Sequence, residues 1–357
     1  MNSSLKSLKF IYYLARFNPE KYPKTHIVDD FYNGIDGDSI PLKILDRFNK
    51  NSQSTIILFP GASPDAEKHQ GMLFLGSIIS KLGYKVIIPR IPPLKELRLN
   101  EECFNWFAHA YEQIMLREDI VKDKVSAMAL SFGGAVLLKS SLDSRISSNP
   151  PNSIMTFGTY SNIQTTLKFL CDGKIDLNNE TYTIKPHSWG LTVLFHNFLE
   201  KFIFSEIKNY KTEFKRIINF QIQDKHDKVK EEIKKIPDTK TQNFIQNIFD
   251  CKINKDIANE IFRVIDNEKE FIKIMSPLYW ADKVNSRVFI MHGSNDSMVP
   301  FTESINLDKY LKNSSLFISY MYEHKEISTN KGIVFKLKEF YKMYCFFRKY
   351  FKYNDSN

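Results

Sequence analysis

The chain has 357 residues, of which 43% are apolar and 25% charged, and its formal net charge is +9 at pH 7. The length fits one α/β domain with an insertion or two ordinary domains, and the composition is that of a folded globular protein. The basic residues are spread along the chain without a nucleic-acid recognition motif, so we expect no nucleic-acid partner.

The cysteines and the amino-terminal segment bear on cellular location. The four cysteines are widely separated and include no CxxC pair, which favours reduced thiols over a zinc site or a disulfide framework. The first residues contain only the short apolar patch FIYYLA, without the longer apolar core and cleavage site of a secretory signal. No run approaches the ~18 apolar residues of a transmembrane helix. We therefore predict a cytoplasmic protein.

The predicted elements begin with two extended segments over residues 26–48, separated by the turn sequence DGD. Strands and helices then alternate through STIILF, HQGMLFLGSIISKLGY, KVIIPRI, CFNWFAHAYEQIML, KVSAMAL, SFGGAVLLKSSL and SIMTFGTY. Such alternation indicates βαβ units and a mostly parallel sheet with helices on both faces.

The pattern changes between residues 163 and 275, where six segments have helical periodicity and none reads as a parallel strand. Alternation resumes with RVFIMHGSND, a helix near FTESINLDKYL, the strand SLFISYMY and a terminal helix from about Gly332. The sequence thus predicts an α/β core over 1–162 and 276–357 and a helical insertion over 163–275. Within it, HSWGLTVLFHNFLEKF either roofs a pocket or packs against the other helices.

Ser131 lies where the strand VSAMAL meets the helix FGGAVLL. The small residues Ala129 and Gly133 on either side allow the close approach that a sharp turn requires, and such a turn exposes the serine at the carboxyl end of the sheet. A nucleophilic serine needs a base and an orienting acid. Asp296 follows the next core strand after the insertion and His324 follows the last strand, although each could instead be an ordinary cap or loop residue.

The segments LFPGAS, MALSFGG, HGSNDSMVP and YEHKE, in this order, resemble the α/β-hydrolase superfamily over most of residues 26–350 outside the insertion. The resemblance implies an α/β-hydrolase fold in which Ser131 is the nucleophile, His324 the general base and Asp296 the orienting acid. It also implies an oxyanion hole made by the backbone N–H groups of Phe132 and Ala62. The helical insertion stands where members of the superfamily carry a cap over the active site.

Three residues depart from the superfamily pattern: Ala129 replaces the first glycine of GxSxG, Pro60 precedes Gly61 in place of histidine, and Glu323 precedes His324 in place of glycine. We expect a serine hydrolase that cleaves a carboxylic ester or related acyl bond of a small, apolar substrate. No metal or other cofactor motif is present. An acyltransferase with the same triad and a non-catalytic binding protein of the same fold stay open as alternatives.

Two further histidines and the terminal helix are also candidates for a role. His69 is a candidate lining residue of the pocket, and His292 is expected to be a packed structural histidine rather than a ligand. The segment over 333–353 has an apolar stripe, formed by Ile333, Leu337, Phe340, Tyr344, Phe347 and Phe351. This basic amphipathic helix either packs on the sheet or contacts an anionic membrane. We favour packing, more for residues up to about 347 than for those beyond.

Overall fold

The computed structural model describes residues 1–16, 18, 23–46, 54–320 and 332–356. The strands within these ranges are β1 (His26–Asn33), β2 (Ser39–Asp46), β3 (Thr55–Phe59), β4 (Lys85–Pro89), β5 (Val125–Leu130), β6 (Ile154–Phe157), β7 (Lys174–Leu177), β8 (Glu180–Thr183), β9 (Val288–Gly293) and β10 (Ser314–Ser319). Eight of them form one sheet in the order β1–β2–β4–β3–β5–β6–β9–β10, and β7 pairs with β8 in a separate hairpin.

The helices of the same ranges alternate with the strands. They are α1 (Ser3–Leu14), α2 (Gln70–Lys81), α3 (Pro92–Lys95), α4 (Glu102–Met115), α5 (Phe132–Ser140), α6 (Ser144–Ser147), α7 (Ile163–Asp172), α8 (Ser188–Phe198), α9 (Lys211–Ile222), α10 (His226–Lys235), α11 (Thr239–Phe249), α12 (Lys255–Asn267), α13 (Lys269–Met275), α14 (Thr302–Tyr310) and α15 (Ile333–Ser356). In the sheet order from β4 to β10, every neighbouring pair of strands is parallel. The β1–β2 and β2–β4 pairs are antiparallel.

Both faces of the sheet are covered, which explains why its central strands consist mainly of apolar residues. Every residue of β3 and β4 is buried, as expected for parallel strands between two helical layers. One face packs against α4 and α5, around Phe107 and Val136. The other face packs against α2 and α15, around Ile78 and Phe347. The predicted α/β class, with a mostly parallel sheet and helices on both faces, is confirmed.

Helices α7 to α13 lie in the chain between β6 and β9 and have an apolar core of their own. Phe195, Phe214 and Ile261 are completely buried in it. The short hairpin β7–β8 is an element that the sequence did not predict, because its two strands have four residues each and are mostly exposed, so they lack the apolar pattern of a buried strand. Its turn residues Asn178 and Asn179 both have positive φ angles, 52° and 63°, and asparagine is among the residues that favour such hairpin turns.

Helices α1 and α15 pack together at the two ends of the chain. The rings of Phe10 and Phe347 meet edge to face with centroids 4.4 Å apart. The Lys6 ammonium donates to the Tyr84 hydroxyl at 2.9 Å and pairs with Asp355 at 2.5 Å. Helix α1 was not predicted, although Asn2 precedes it as an N-cap and accepts the Leu5 N–H at 2.9 Å.

The expected distribution of burial along α15 is wrong. Phe347 and Phe351 are 0% and 1% exposed, whereas Ile333 and Leu337 are 75% and 61% exposed. The later turns are buried because α1 and the sheet pack there, and the first turns have no such cover among the described residues. No helix in the described ranges is both long enough and apolar enough to cross a bilayer.

Candidate active site

Ser131 occupies the sharp turn between β5 and α5, with φ = 51° and ψ = −126°. A positive φ is uncommon for a residue with a side chain, and such a conformation costs about 1–3 kcal/mol, so it persists only where the surrounding structure imposes it. The Ser131 N–H donates to the Phe157 carbonyl oxygen at 2.6 Å. Its carbonyl oxygen accepts from the Gly134 N–H at 2.9 Å and the Thr159 hydroxyl at 3.1 Å. The backbone is therefore fixed on both sides of the serine.

The two glycines after Ser131 are required by close contacts. A Cβ atom on Gly133 would lie 2.1 Å from the Pro60 carbonyl oxygen, and one on Gly134 would lie 1.9 Å from the Thr159 Oγ1. Ala129, at the position of the usual first glycine, is completely buried within β5. The turn thus accommodates a methyl group before the serine but no side chain at the two positions after Phe132.

Two backbone N–H groups lie beside this turn without a protein acceptor in the described ranges, those of Phe132 and Ala62. Phe132 begins α5, so its N–H has no partner within the helix. Gly61 brings the loop against the turn, because a Cβ there would lie 3.1 Å from the Leu130 carbonyl oxygen and 3.6 Å from the Ser131 Cβ. Ala62, Ser131 and Phe132 line the same cavity.

The loop that carries Ala62 is anchored by an ion pair that the sequence interpretation missed. Glu67, whose side chain is 2% exposed, accepts from the Arg90 Nε at 2.8 Å and Nη2 at 2.6 Å. These hydrogen bonds raise the pKa of the Arg90 guanidinium. The Arg90 carbonyl oxygen in turn accepts from the Tyr32 hydroxyl at 2.6 Å. The sequence does not predict this ion pair, because Glu67 follows β3 and Arg90 follows β4, and the two side chains meet only when these strands are neighbours in the sheet.

Asp296 lies in the loop after β9, and its carboxylate is held by backbone donors. Oδ1 accepts from the Met298 N–H at 2.8 Å and the Val299 N–H at 3.0 Å. Oδ2 lies 3.4 Å from the His292 Nε2. Burial raises the pKa of this carboxyl, but the contact with His292 and the two backbone hydrogen bonds outweigh it, so the pKa lies below its ordinary value.

His292 is 1% exposed, and its ring nitrogens lie near polar atoms of Asp296, Val299 and Ser304. Its Nε2 is 2.9 Å from the Val299 carbonyl oxygen, closer than to Asp296, so Val299 is the main acceptor. Its Nδ1 is 2.7 Å from the Ser304 hydroxyl. The histidine is therefore packed at the end of β9, hydrogen-bonded to the following loop and to α14, and does not line the cavity.

Ser131 and Asp296 are brought to the same edge of the sheet, on either side of the end of β6. The Ser131 N–H binds Phe157, while a Cβ on the next residue, Gly158, would lie 3.0 Å from the Asp296 Oδ2. Gly158 has φ = 61°, a conformation that favours glycine. His324 lies outside the described residues, as does Glu323, so the predicted position of the base stays a prediction.

A cavity of about 350 Å³ opens beside Ser131. The core side of its wall includes Pro60, Gly61 and Met298, and the opposite side is built from the helical insertion. That side consists largely of apolar side chains, among them Ile163, Leu167, Leu170, Trp189, Val193 and Phe198. His69 also lines the cavity and is exposed.

Comparisons with known proteins agree with this architecture. A model of the BD-FAE family, an α/β-hydrolase family, matches residues 204–311. The acylaminoacyl peptidase of Pyrococcus horikoshii is similar in structure, with a TM-score of 0.50 and 12% identity over 93% of this chain and 42% of that one. The chain has the α/β-hydrolase fold.

Two other solved structures are similar at lower scores. The acetyl xylan esterase of Paenibacillus sp. R4 has a TM-score of 0.44 and 11% identity over 95% of this chain and 93% of that one. The 2-hydroxy-6-oxo-6-phenylhexa-2,4-dienoate hydrolase of Rhodococcus sp. strain RHA1 has a TM-score of 0.43 and 14% identity over 83% and 91%. This chain spans about two fifths of the acylaminoacyl peptidase, at 42% of its length. No curated protein matches the chain.

The helical insertion is joined to the α/β-hydrolase core through a buried carboxylate that the sequence interpretation also missed. Glu303, 2% exposed, accepts from the Ser161 N–H at 2.9 Å, the Ser161 hydroxyl at 2.7 Å and the Asn162 N–H at 2.8 Å. The two connecting segments also bind each other, because the Leu278 N–H donates to the Ser161 carbonyl oxygen at 2.9 Å. The chain segments that precede and follow the insertion are thus held together.

The described ranges contain no group of three or more His, Cys, Asp or Glu side chains placed to hold a metal ion. All four cysteines are free thiols.

Proposed function

We propose that this protein is a serine hydrolase that cleaves a carboxylic ester, or a related acyl bond, through Ser131. The observation that carries the proposal is the conformation of Ser131. A serine at φ = 51° between a strand and a helix is a strained arrangement, and strained residues cluster at functional sites. A residue that merely joined two elements would relax into an ordinary turn, or be a glycine.

Asp296 supports the proposal through its charge and through Oδ2, whose contact with the His292 Nε2 at 3.4 Å is longer than an ordinary hydrogen bond. Its pKa lies below the ordinary value, so the carboxylate is ionised at neutral pH. Oδ1 is bonded to two N–H groups, which leaves Oδ2 able to accept a hydrogen bond from an imidazole. We assign that imidazole to His324, with Asp296 orienting it and stabilising its protonated form.

The reaction would then follow the acyl-enzyme route. His324 removes the proton of the Ser131 hydroxyl as Oγ bonds to the substrate carbonyl carbon, and the carbonyl oxygen becomes an oxyanion. The N–H groups of Phe132 and Ala62 donate to that oxyanion. The intermediate collapses, and the alcohol leaves with the proton from His324. Water, deprotonated by the same histidine, then attacks the acyl-enzyme, releasing the carboxylic acid and restoring the serine.

The cavity supports an apolar acyl group as the substrate. Its volume of about 350 Å³ lies at the lower end of the range of about 300–1,000 Å³ for small-molecule sites. The polar side chains Tyr160 and Thr166 on its wall already bind backbone carbonyls, those of Met275 and Asn162. The wall formed by the insertion therefore offers mainly dispersion contacts and apolar surface, which suits an acyl chain.

Hydrolysis of p-nitrophenyl esters of increasing acyl length tests this proposal. The wild type should release p-nitrophenol, and Ser131→Ala and His324→Ala should lose that activity while keeping the unfolding temperature of the wild type. Ser63→Ala is the matched control, because Ser63 lines the same cavity but has no role in the proposed reaction. Equal hydrolysis by the wild type and Ser131→Ala would refute the proposal. Inactivity of the folded wild type would favour a non-catalytic member of the fold.

A further inference from the structure

Helix α8 is bonded to the α/β-hydrolase core near both of its ends. Immediately before the helix, the His187 N–H donates to the Ser297 carbonyl oxygen at 2.9 Å, in the loop after β9. In its last turn, the His196 Nε2 lies 3.3 Å from the Glu96 carbonyl oxygen. With 11 residues the helix is about 16 Å long. It therefore bridges two core loops that belong to different parts of the sheet.

Asn197 makes the closest attachment at the carboxyl end. Its Nδ2 donates to the Leu97 carbonyl oxygen at 2.9 Å and to the Val193 carbonyl oxygen at 2.9 Å. Its Oδ1 accepts from the Leu99 N–H at 3.2 Å. Both N–H groups of the amide are used, so they are not available to a substrate. Leu97 has φ = 56°, so the core loop holds an uncommon conformation where it meets the amide.

The same helix presents one face to the cavity. The lining residues of α8 are Trp189, Gly190, Val193, Leu194, Asn197 and Phe198. They recur at intervals of three and four, which places them on one side of a helix. A Cβ on Gly190 would lie 2.5 Å from the Leu170 Cδ1, so α8 and α7 are in close contact where both line the cavity. A displacement of α8 would therefore change the dimensions of the cavity directly.

We propose that Asn197 is a positioning residue that sets the acyl-chain selectivity of the site. Its hydrogen bonds to Leu97 and Leu99 fix the separation between α8 and the core, and the apolar side chains of α8 then limit the acyl chain. An amide on the otherwise apolar face that α8 presents to the cavity is explained by this attachment, because its donors are directed to the protein backbone. The inference rests on the proposed function, since it concerns acyl groups transferred to Ser131.

The test uses Asn197→Asp and Asn197→Ala. Aspartate keeps the shape of the side chain but removes both donors, and alanine removes the whole attachment without adding charge. Asn219→Asp is the matched control, because Asn219 is exposed on α9 and does not line the cavity. For each variant, kcat/KM is measured with p-nitrophenyl acetate and octanoate, together with the unfolding temperature and the rate of labelling by a small fluorophosphonate.

We expect the octanoate-to-acetate ratio of kcat/KM to change by about tenfold in both Asn197 variants. Labelling by the small probe should stay within about twofold of the wild type, because an intact serine turn reacts independently of the acyl wall. Asn219→Asp should change neither quantity. An unchanged ratio in folded Asn197 variants, or an equal loss with both esters, would overturn the inference and leave the proposed function standing. Absence of labelling and hydrolysis in the wild type would overturn both.

Discussion

Replacing Glu67 with glutamine tests whether the buried ion pair holds the loop of Ala62 in place. The glutamine keeps the shape of the side chain but leaves the Arg90 guanidinium without its counter-charge. Glu67 is 2% exposed and Arg90 is 22% exposed, so the pair is shielded from water mainly on the Glu67 side. Breaking a fully buried pair costs about 3–5 kcal/mol, and a fully exposed pair contributes about 0–1 kcal/mol. Because glutamine can still accept one of the two hydrogen bonds, we expect the free energy of unfolding to fall by about 2 kcal/mol.

The same substitution should affect catalysis through the position of the Ala62 N–H. Complete removal of one oxyanion donor lowers kcat by about 10²–10³. A loosened loop retains the donor in a less favourable position, so we expect kcat to fall by about tenfold with KM within about twofold of the wild type.

Glu96→Gln is the matched control for both measurements. Glu96 also pairs with an arginine, Arg98, but these side chains are 57% and 43% exposed. The free energy of unfolding should therefore fall by less than about 0.5 kcal/mol in Glu96→Gln. Urea unfolding followed by tryptophan fluorescence gives the stability, and ester hydrolysis gives kcat. Equal, small decreases in the free energy of unfolding of the two variants would refute the contribution assigned to the buried Glu67–Arg90 pair. A destabilised Glu67→Gln protein with unchanged kcat would refute its role in positioning the loop.

Three further predictions concern the turn, the acid and the terminal helix. Gly133→Ala should abolish ester hydrolysis, because its Cβ would lie 2.1 Å from the Pro60 carbonyl oxygen, whereas Gly293→Ala, with nothing within 4 Å, should retain it. Because the pKa of Asp296 is lowered in the folded protein, its ionisation stabilises the fold at neutral pH, and this contribution is lost as the pH falls below about 4. Asp296→Asn should therefore show a smaller loss of stability than the wild type in urea unfolding between about pH 5 and 2; an equal loss would contradict the assigned ionisation. We propose that the exposed start of α15, where Leu337 is 61% exposed, contacts anionic membranes. Leu337→Glu should then reduce sedimentation with phosphatidylserine vesicles, and equal sedimentation of both proteins would contradict the proposal.

The parts of the site that depend on neighbouring residues in the sequence could be predicted. The turn at Ser131 is encoded locally, since an apolar strand, small residues and a helix follow one another within a short segment. The alternation of elements also predicted a mostly parallel sheet, in which the carboxyl ends of the strands lie at one edge, so Asp296 could be assigned to the same edge as Ser131. These inferences required no knowledge of distant contacts.

The parts that depend on distant contacts could not be predicted. Glu67 meets Arg90, and Glu303 meets Ser161, only after strands far apart in sequence become neighbours. Burial along α15 was assigned wrongly for the same reason, because the apolar stripe is continuous but α1 covers only its later turns. The pattern of a helix identifies its apolar face, and the elements that pack on that face decide which turns are buried.

Covalent modification by a fluorophosphonate tests most directly whether Ser131 is an activated nucleophile. The purified protein is treated with the probe, digested, and the modified residue is identified by tandem mass spectrometry. We expect a single adduct on Ser131 that is absent from Ser131→Ala and from His324→Ala. An adduct on another serine, or an unmodified Ser131 in a folded protein, would contradict it.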